Sequence, residues 1–344
     1  MNLLLLGGGV FLGRAVLDAA LARSHAVTVF NRGRARSDWP AGVEVITGDR
    51  VADLGLLAGR RWDAVIDTCG YVPVDVRASA AALKDACDAY LFVSSISAYA
   101  DTAEPMTDET QPLAAFDAIA PDDRDLRHYG PQKAACEAEV MQAFGPRALI
   151  VRPGLIVGPG DRSGRFSHWV WRSAEGGAML VPDVPETQAL QFIDVRDLGG
   201  WMVHLHETGA RGALNGSGPV GGTQIGWGGL IDACRAEAAE HGHAPAEAVR
   251  VDEDFLLRHG VQPWRELPLW LPSIDPDCAG FNRDLTRAAA AGLRTRPLRE
   301  TIAAVLDEGI PPRDDRRRAG KLTPEREAEL LAAWATERPG ETAP

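Results

Sequence analysis

The sequence lacks the residue patterns that bind structural metals or form disulfide frameworks. Its five cysteines are scattered, and no two of them are separated by only two residues. They are Cys69, Cys87, Cys136, Cys234 and Cys278. The pairs His204-x-His206 and His241-x-His243 lie in a helical pattern and a loop, and this spacing does not place two side chains on one helix face. We therefore predict no metal site, and reduced thiols favour a cytoplasmic protein.

Long apolar runs are also absent. No stretch approaches the roughly 18 apolar residues that a membrane-spanning helix needs, so the sequence predicts no membrane partner. The apolar start at residues 3–6 has no basic segment before it and is interrupted by three glycines. It predicts a buried strand instead of a signal peptide.

Basic residues are outnumbered by acidic ones. The chain has 36 Lys and Arg against 48 Asp and Glu, a formal net charge of −12 at pH 7. An acidic surface repels a phosphate backbone, so nucleic acid is not a predicted partner. Hydrophobic residues make up 45% and charged residues 24% of the chain, which is typical of a soluble globular protein with a sizeable core.

Short apolar segments alternate with helical patterns through the first half of the chain. Strands are predicted at residues 2–6, 26–30, 43–46, 64–67, 89–94 and 148–152, and helices at 13–23, 74–89 and 130–144. A further strand and helix are predicted at 191–195 and 197–206. Repeated strand–helix–strand units predict an α/β fold, a doubly wound parallel (Rossmann) sheet.

The composition changes after Arg152, where Gly, Pro and Trp become frequent. We predict a Rossmann dinucleotide-binding domain at 1–165, completed by about 190–215. A substrate-binding lobe is predicted at 166–189 and 216–310, and a polar tail at 311–344. Thr323-Pro324 is typical of a helix start, so the tail should contain a helix.

A glycine turn, Leu6-Gly-Gly-Gly-Val-Phe-Leu-Gly13, follows the first strand. A helix that starts after such a turn offers backbone N–H groups and a positive dipole end to a pyrophosphate. The pattern matches GxGxxG except at its centre, where Val10 replaces glycine. The motif predicts dinucleotide binding by Gly7, Gly9, Val10, Phe11 and Leu12.

The end of the second strand bears on the choice of dinucleotide. Its sequence, Asn31-Arg-Gly-Arg-Ala-Arg36, has no carboxylate to hold a ribose 2′-hydroxyl, while guanidinium groups suit a 2′-phosphate. We predict NADP(H), bound through Asn31, Arg32 and Arg36, with NAD(H) as the alternative. Asp49 and Arg50, after the third strand, are also predicted to contact the cofactor.

The segment Tyr129-Gly-Pro-Gln-Lys133 carries the strongest chemical signal, and it lies downstream of Val93-Ser-Ser-Ile-Ser-Ala-Tyr99. A helix places side chains four residues apart on one face. An ammonium group beside a phenol favours the phenolate and lowers the tyrosine pKa from about 10 towards neutrality. The spacing therefore predicts acid–base chemistry at Tyr129.

In this order, the motifs resemble those of the short-chain dehydrogenase/reductase superfamily, in its extended or atypical branch, which includes nucleotide-sugar epimerases and dehydratases. The resemblance spans roughly residues 1–301. It rests on residues 7–13, 48–49, 67–70, 93–99, 129–133, 152–154, 158–160, 192–197 and 215.

The resemblance implies roles for individual residues. Tyr129 would be the proton donor or acceptor, and Lys133 would bind the nicotinamide ribose and lower the Tyr129 pKa. Ser95 would hydrogen-bond the substrate oxygen, with Ser94 and Ser97 as alternative donors. Cys69, Gly70 and Pro153 would line the cofactor site. The family's dimers pair helices, and the alanine-rich face of residues 130–144 permits such a homodimer.

Substrate contacts are predicted in and beyond the serine-rich segment. Aromatic rings with a few polar groups can build a ligand pocket. The candidates are Ser97, Tyr99, Arg165, His168 and Gln191.

Three functions remain open at this point. The first is an NADP(H)-dependent oxidoreductase that transfers hydride between nicotinamide and a carbonyl or secondary alcohol of a small molecule. The second is a nucleotide-sugar epimerase or dehydratase with resident NAD. The third is a non-catalytic member of the same superfamily. The Ser, Tyr and Lys set favours an enzyme, and the missing acid after the second strand favours the first function.

Overall fold

The computed structural model describes residues 1–34, 38–221, 224–279 and 282–337. The chain divides into two compact units. The first comprises Met1–Ile156, Gln191–Thr223 and Phe281–Thr295, and the second comprises Val157–Leu190, Gln224–Gly280 and Arg296–Pro344.

The strands and helices follow one another along the chain in the following order. The strands are β1 (Asn2–Leu6), β2 (Ala26–Asn31), β3 (Glu44–Thr47), β4 (Trp62–Asp67), β5 (Cys87–Val93), β6 (Ala148–Pro153), β7 (Leu155–Val157), β8 (Ala178–Asp183), β9 (Phe192–Asp194), β10 (Gly212–Gly216) and β11 (Glu247–Asp252). The helices are α1 (Phe11–Ala22), α2 (Pro73–Leu83), α3 (Tyr129–Phe144), α4 (Arg165–Ala174), α5 (Val195–Glu207), α6 (Trp227–Glu240), α7 (Glu253–Arg258), α8 (Thr286–Ala290), α9 (Leu298–Asp307) and α10 (Pro324–Glu337).

A seven-stranded parallel sheet organises the first unit, in the order β10-β6-β5-β4-β1-β2-β3. In β1, Leu3 and Leu5 face a core shared with α1 and α5, while Leu4 and Leu6 face a core shared with α2 and α3. This burial on both faces explains why the strand is an uninterrupted apolar run. The predicted doubly wound α/β sheet is confirmed.

Two predicted helices have different ends in the structure. The segment predicted as a helix at 74–89 stops at Leu83, because Cys87 already pairs with Trp62 in the sheet. Helix α1 starts at Phe11, two residues before the predicted start. The apolar stripe identifies each helix, but the pairing of β4 with β5 decides where α2 ends.

The second unit contains the parallel pair β8–β11 and a helical core. Trp169 and Trp227 pack edge to face with ring centroids 5.1 Å apart. The C-terminal helix α10 is part of this unit, since Glu327 binds both Arg172 Nε (2.8 Å) and the Leu180 N–H (2.9 Å). None of the helices in the four described ranges is long and apolar enough to cross a membrane.

Candidate active site

The glycine turn brings the end of β1 tightly against the start of α1. Gly7 and Gly8 have φ values of +114° and +78°, which L side chains rarely adopt. A Cβ on Gly7 would collide with Thr68 Oγ1, and one on Gly13 would lie 2.6 Å from the Gly8 nitrogen. The turn therefore needs glycine for its own geometry. It leaves the first backbone N–H groups of α1 at the carboxyl end of the parallel sheet.

Val10 replaces the central glycine of the fingerprint without backbone strain. Its φ of −148° is extended, which a β-branched residue adopts readily. The unusual backbone is at Phe11, whose φ of +43° lies in the left-handed region. This conformation costs free energy for a bulky residue, and such backbone strain is concentrated at functional sites. A valine side chain accepts no hydrogen bond, so it does not compete with a ligand for the α1 amides.

The residues predicted to bind the 2′ position of the ribose differ in their placement. Asn31 supports the glycine turn, because its Nδ2 donates to the Gly7 carbonyl (3.2 Å) and its Oδ1 accepts from the Gly33 N–H (2.7 Å). Arg32 is exposed just beyond β2. Arg36 lies outside the described residues. Arg32 is therefore the residue through which a phosphate preference can be tested.

Arg50 is largely buried and forms an ion pair with Asp67. Its Nη1 and Nη2 each lie 2.9 Å from an oxygen of Asp67, and Nη2 also donates to Ser79 Oγ (2.6 Å). Asp67 accepts a further bond from the Tyr90 hydroxyl (2.8 Å). Burial raises the pKa of Asp67, but the Arg50 guanidinium and these hydrogen bonds outweigh it and hold the pKa below its usual value. This pairing does not fit the predicted cofactor role of Arg50.

Asp49 and Cys69 are near neighbours in sequence of the two members of this ion pair, since Asp49 precedes Arg50 and Cys69 lies two residues after Asp67. Asp49 Oδ1 accepts from the Val51 N–H (2.8 Å), which shapes the loop after β3. Cys69 follows β4, and its Sγ accepts from Arg50 Nη1 (3.4 Å). Burial raises the pKa of the Cys69 thiol to about 11, so the thiol stays protonated near neutral pH and is a poor nucleophile.

Lys133 is anchored at the carboxyl ends of two neighbouring strands. Its Nζ donates to the Gly70 carbonyl after β4 (2.6 Å) and to the Val93 carbonyl at the end of β5 (2.7 Å). The side chain is only 2% exposed, and burial lowers its pKa to about 8. The Tyr129 ring centroid lies 5.9 Å from the same nitrogen. The structure thus brings Tyr129 and Lys133 together, as their spacing predicts.

Gly130 allows the helix that carries both residues to approach the serine-rich segment. A Cβ at this position would collide with the Ser97 carbonyl oxygen. Ser95 precedes the short 3₁₀ helix at residues 96–98, and its Oγ accepts from the Ser97 N–H (3.1 Å). Both serines are half-buried. The close approach of α3 and this segment places Ser95 and Ser97 on the side of the unit where Tyr129 begins its helix.

Ser94 is not available as a substrate donor. It is buried, and its hydroxyl donates to Glu137 Oε1 at 2.5 Å. Glu137 in turn forms a bidentate pair with Arg152, with distances of 3.0 Å from Nε and 2.7 Å from Nη2. Of the three serines considered as donors, Ser94 is therefore committed to the protein interior, while Ser95 and Ser97 remain candidates.

Tyr99 and Gln191 also have interior partners, which does not fit the substrate role predicted for them. Tyr99 is 2% exposed, and its hydroxyl donates to Asn215 Oδ1 (2.7 Å). The guanidinium groups of Arg152 and Arg283 lie 4.8 and 5.1 Å from its ring centroid. Gln191 is buried, and its amide pairs with both the carbonyl and the N–H of Arg283 (2.9 and 3.1 Å). These residues form a polar network inside the first unit.

The two remaining substrate candidates belong to the second unit. Arg165 begins α4, and its guanidinium lies 5.8 Å from the Trp264 ring centroid. His168 is buried against Trp169, and burial together with nearby cations, Lys321 first among them, lowers its pKa to about 3. His168 is therefore neutral at physiological pH. Substrate binding by this pair remains a prediction.

Pro153 ends β6 and is buried beside Gly154, whose N–H donates to the Gly216 carbonyl (3.1 Å). Within the described part of the chain, no cluster of three or more His, Cys, Asp or Glu side chains could hold a metal ion. Tyr71 and Glu137 are not among the residues predicted from the sequence, and Asp67 is included there only as part of the motif at residues 67–70. Glu137 carried a signal, because it lies four residues after Lys133 and so on the same helix face.

Known proteins share this fold and sequence pattern. The model of the NAD dependent epimerase/dehydratase family matches residues 3–217. The epimerase family protein SDR39U1 of Bos taurus is 26% identical over 246 residues, which cover 65% of this chain and 76% of that protein.

Two solved structures illustrate the structural similarity. The enzyme WbmH of Bordetella bronchiseptica, in complex with NAD+, has a TM-score of 0.63 and 18% identity, covering 90% of this chain and 99% of its own. UDP-glucuronic acid 4-epimerase of Bacillus cereus, in complex with NAD, has a TM-score of 0.61 and 17% identity, covering 89% and 96%. The chain belongs to the NAD dependent epimerase/dehydratase family and is an enzyme of the short-chain dehydrogenase/reductase type.

Proposed function

We propose that this chain is a nucleotide-sugar epimerase or dehydratase that keeps NAD bound through its turnover. The observation that carries the proposal is the anchoring of Lys133 by the Gly70 and Val93 carbonyls, with the Tyr129 ring 5.9 Å from its nitrogen. Family membership and the substrates named for similar structures, such as UDP-glucuronic acid, support it. This proposal replaces the small-molecule reductase favoured from sequence, which becomes the second candidate.

The glycine turn fits the pyrophosphate of a dinucleotide. Gly7 and Gly8 adopt backbone conformations that favour glycine, so these two positions add no side chain to the turn. The backbone amides of α1 begin directly after Val10. Backbone N–H groups at a helix start stabilise a bound anion. Gly70, three residues after β4, and Pro153, at the end of β6, are proposed to line the nicotinamide end of the same site. The first unit would thus bind the cofactor.

The side chains of the site have complementary tasks in this proposal. Bound nicotinamide would supply the hydride acceptor. An ammonium group has three N–H donors, and the bonds to Gly70 and Val93 use two of them, so Lys133 can direct its third towards a ribose hydroxyl. Tyr129 would take the proton from the sugar hydroxyl as the C–H bond breaks and return it when the carbonyl is reduced. Ser95 would hold the same oxygen.

Identification of the bound nucleotide and assays with nucleotide sugars test the proposed function. A denatured extract of the purified protein should release NAD(H) in stoichiometric amount, measured by mass spectrometry. The holoenzyme should then convert at least one UDP-hexose or UDP-hexuronic acid to an epimer or a keto sugar, resolved by chromatography. Release of no nucleotide, together with NADPH oxidation by carbonyl substrates, would reject this function in favour of the reductase.

The exposed Arg32 favours the second candidate, an NADP(H)-dependent oxidoreductase. If its guanidinium binds a 2′-phosphate, Arg32→Ala should weaken NADPH binding more than NADH binding, because a charged hydrogen bond is lost only with the phosphate. Titration of both nucleotides by fluorescence measures the two affinities. Arg23→Ala, on an exposed ion pair at the end of α1, is the matched control. Equal losses for the two nucleotides in Arg32→Ala would remove the support for NADP(H).

The pH profile of the reaction should fall above about pH 8, because Lys133 loses its proton there. Since this pKa is below the unfolded value of about 10.4, the unfolded chain binds more protons between the two values, and deprotonation itself does not destabilise the fold. The fall in activity above about pH 8 would thus reflect deprotonation of Lys133 in the active site and not unfolding of the chain. Lys133→Arg keeps the charge at all accessible pH values, so its residual activity should lack this fall. A fall near pH 8 that persists in Lys133→Arg would contradict the assignment.

A further inference from the structure

A second tyrosine lies against the active-site lysine. Tyr71 follows Gly70, whose carbonyl accepts a hydrogen bond from Lys133. The Lys133 nitrogen lies 4.7 Å from the Tyr71 ring centroid, 4.8 Å from that of Phe92 and 5.9 Å from that of Tyr129. All three distances are within the range of cation–π attraction, and the Tyr71 ring is the nearest.

Tyr71 is the most exposed of the three aromatic residues, since Tyr129 is half-buried. Phe92 is fully buried in the core, whereas Tyr71 is 49% exposed. Lys133, against which its ring packs, is only 2% exposed. The ring of Tyr71 is thus a partly exposed cover on a buried ammonium. It also contacts the acid–base residue, since the Tyr71 and Tyr129 ring centroids are 6.5 Å apart.

We propose that Tyr71 is a positioning residue of this active site, whose ring covers the Lys133 ammonium and holds it beside Tyr129. The catalytic consequence rests on the proposed function. The covering of Lys133 is a property of the folded chain and can be tested without any assay of turnover.

The other groups around Lys133 do not provide the same effect. The charges of Asp67 and Arg50 offset each other through their mutual ion pair. The thiols of Cys69 and Cys136 are neutral, since burial raises their pKa values to about 11 and 12. The pKa of Lys133 is lowered mainly by its exclusion from water, which the rings packed against it enforce. Removal of the Tyr71 ring, with no large apolar side chain in its place, should therefore readmit water.

The chain is suited to a direct measurement because it has only three lysines, Lys84, Lys133 and Lys321. Protein labelled with ¹³C at the lysine ε-carbons gives three titrating NMR signals, and Lys84→Arg and Lys321→Arg assign them. The titration is recorded for the wild type, for Tyr71→Phe, which keeps the ring, and for Tyr71→Ala, which removes the ring and leaves no large apolar side chain in its place. Lys84 and Lys321 serve as internal controls in every spectrum.

Tyr71→Ala should raise the Lys133 pKa by about one unit or more towards the usual value of lysine, because the return of water to the ammonium outweighs the loss of the ring's attraction, while Tyr71→Phe leaves it unchanged. Tyr71→Ser is the second ring-free variant if the alanine variant does not fold. An unchanged Lys133 pKa in a folded ring-free variant overturns the proposal. In turnover assays, the falling limb of the pH profile should move with the Lys133 pKa. If the proposed reaction is itself wrong, the NMR shift still occurs, so the two failures are distinguishable.

Discussion

Replacement of Tyr129 with phenylalanine should lower turnover at least about 100-fold while the cofactor still binds. Positioned acid–base groups contribute about this factor or more, and the substitution removes only the hydroxyl that carries the proton. The ring that lies 5.9 Å from Lys133 Nζ stays in place, so the packing around the ammonium is kept. Single-turnover formation of NADH from bound NAD, followed by absorbance, measures the step that the hydroxyl serves.

The chain offers a matched control for this experiment. Tyr71→Phe deletes the same hydroxyl group from the neighbouring ring, 6.5 Å away, and should keep most of the turnover. Stoichiometric cofactor in both variants shows that any loss arises in chemistry and not in binding. Near-normal turnover of Tyr129→Phe, or equal losses of turnover in Tyr129→Phe and Tyr71→Phe, would contradict the acid–base assignment of Tyr129.

Local sequence patterns predict the scaffold because they are consequences of burial and spacing. The run of leucines in β1 is apolar throughout because its alternate residues face two different cores. The four-residue spacing of Tyr129 and Lys133 predicts their proximity because both lie on one helix. Such features depend on neighbours in the chain, which the sequence displays directly.

The predicted site residues that have interior partners in the structure are polar residues whose partners are distant in the sequence. Arg50 was assigned to the cofactor, yet it pairs with Asp67 across two strands of the sheet. Tyr99 was assigned to the substrate, yet its hydroxyl reaches Asn215, 116 residues away. A polar residue beside a binding motif has the same sequence signature whether it faces a ligand or a buried partner. Only the fold distinguishes the two, because buried polar groups must find partners inside it.

The buried pair Glu137–Arg152 should be a sensitive point of the fold outside its apolar core. Both side chains are about one-twentieth exposed, at 5% and 6%, and they meet at 2.7 Å. Glu137→Ala would leave the Arg152 guanidinium buried without its counter-charge and the Ser94 hydroxyl without its acceptor. Removal of one member of a buried pair typically costs about 3–5 kcal/mol, so the free energy of unfolding should fall by that amount in urea denaturation.

Two comparisons decide whether this loss arises from the uncompensated charge. Glu139→Ala lies on the same helix but releases only the exposed Arg77, so it should cost far less. The double variant Glu137→Leu/Arg152→Met removes both charges and should recover part of the loss, because neither partner is then left buried alone. Since Glu137 also holds Ser94 next to Ser95, the double variant separates stability from function. A double variant that regains stability but stays inactive would show that the pair positions the serine segment. Equal stability of Glu137→Ala and Glu139→Ala would refute the predicted cost of removing Glu137.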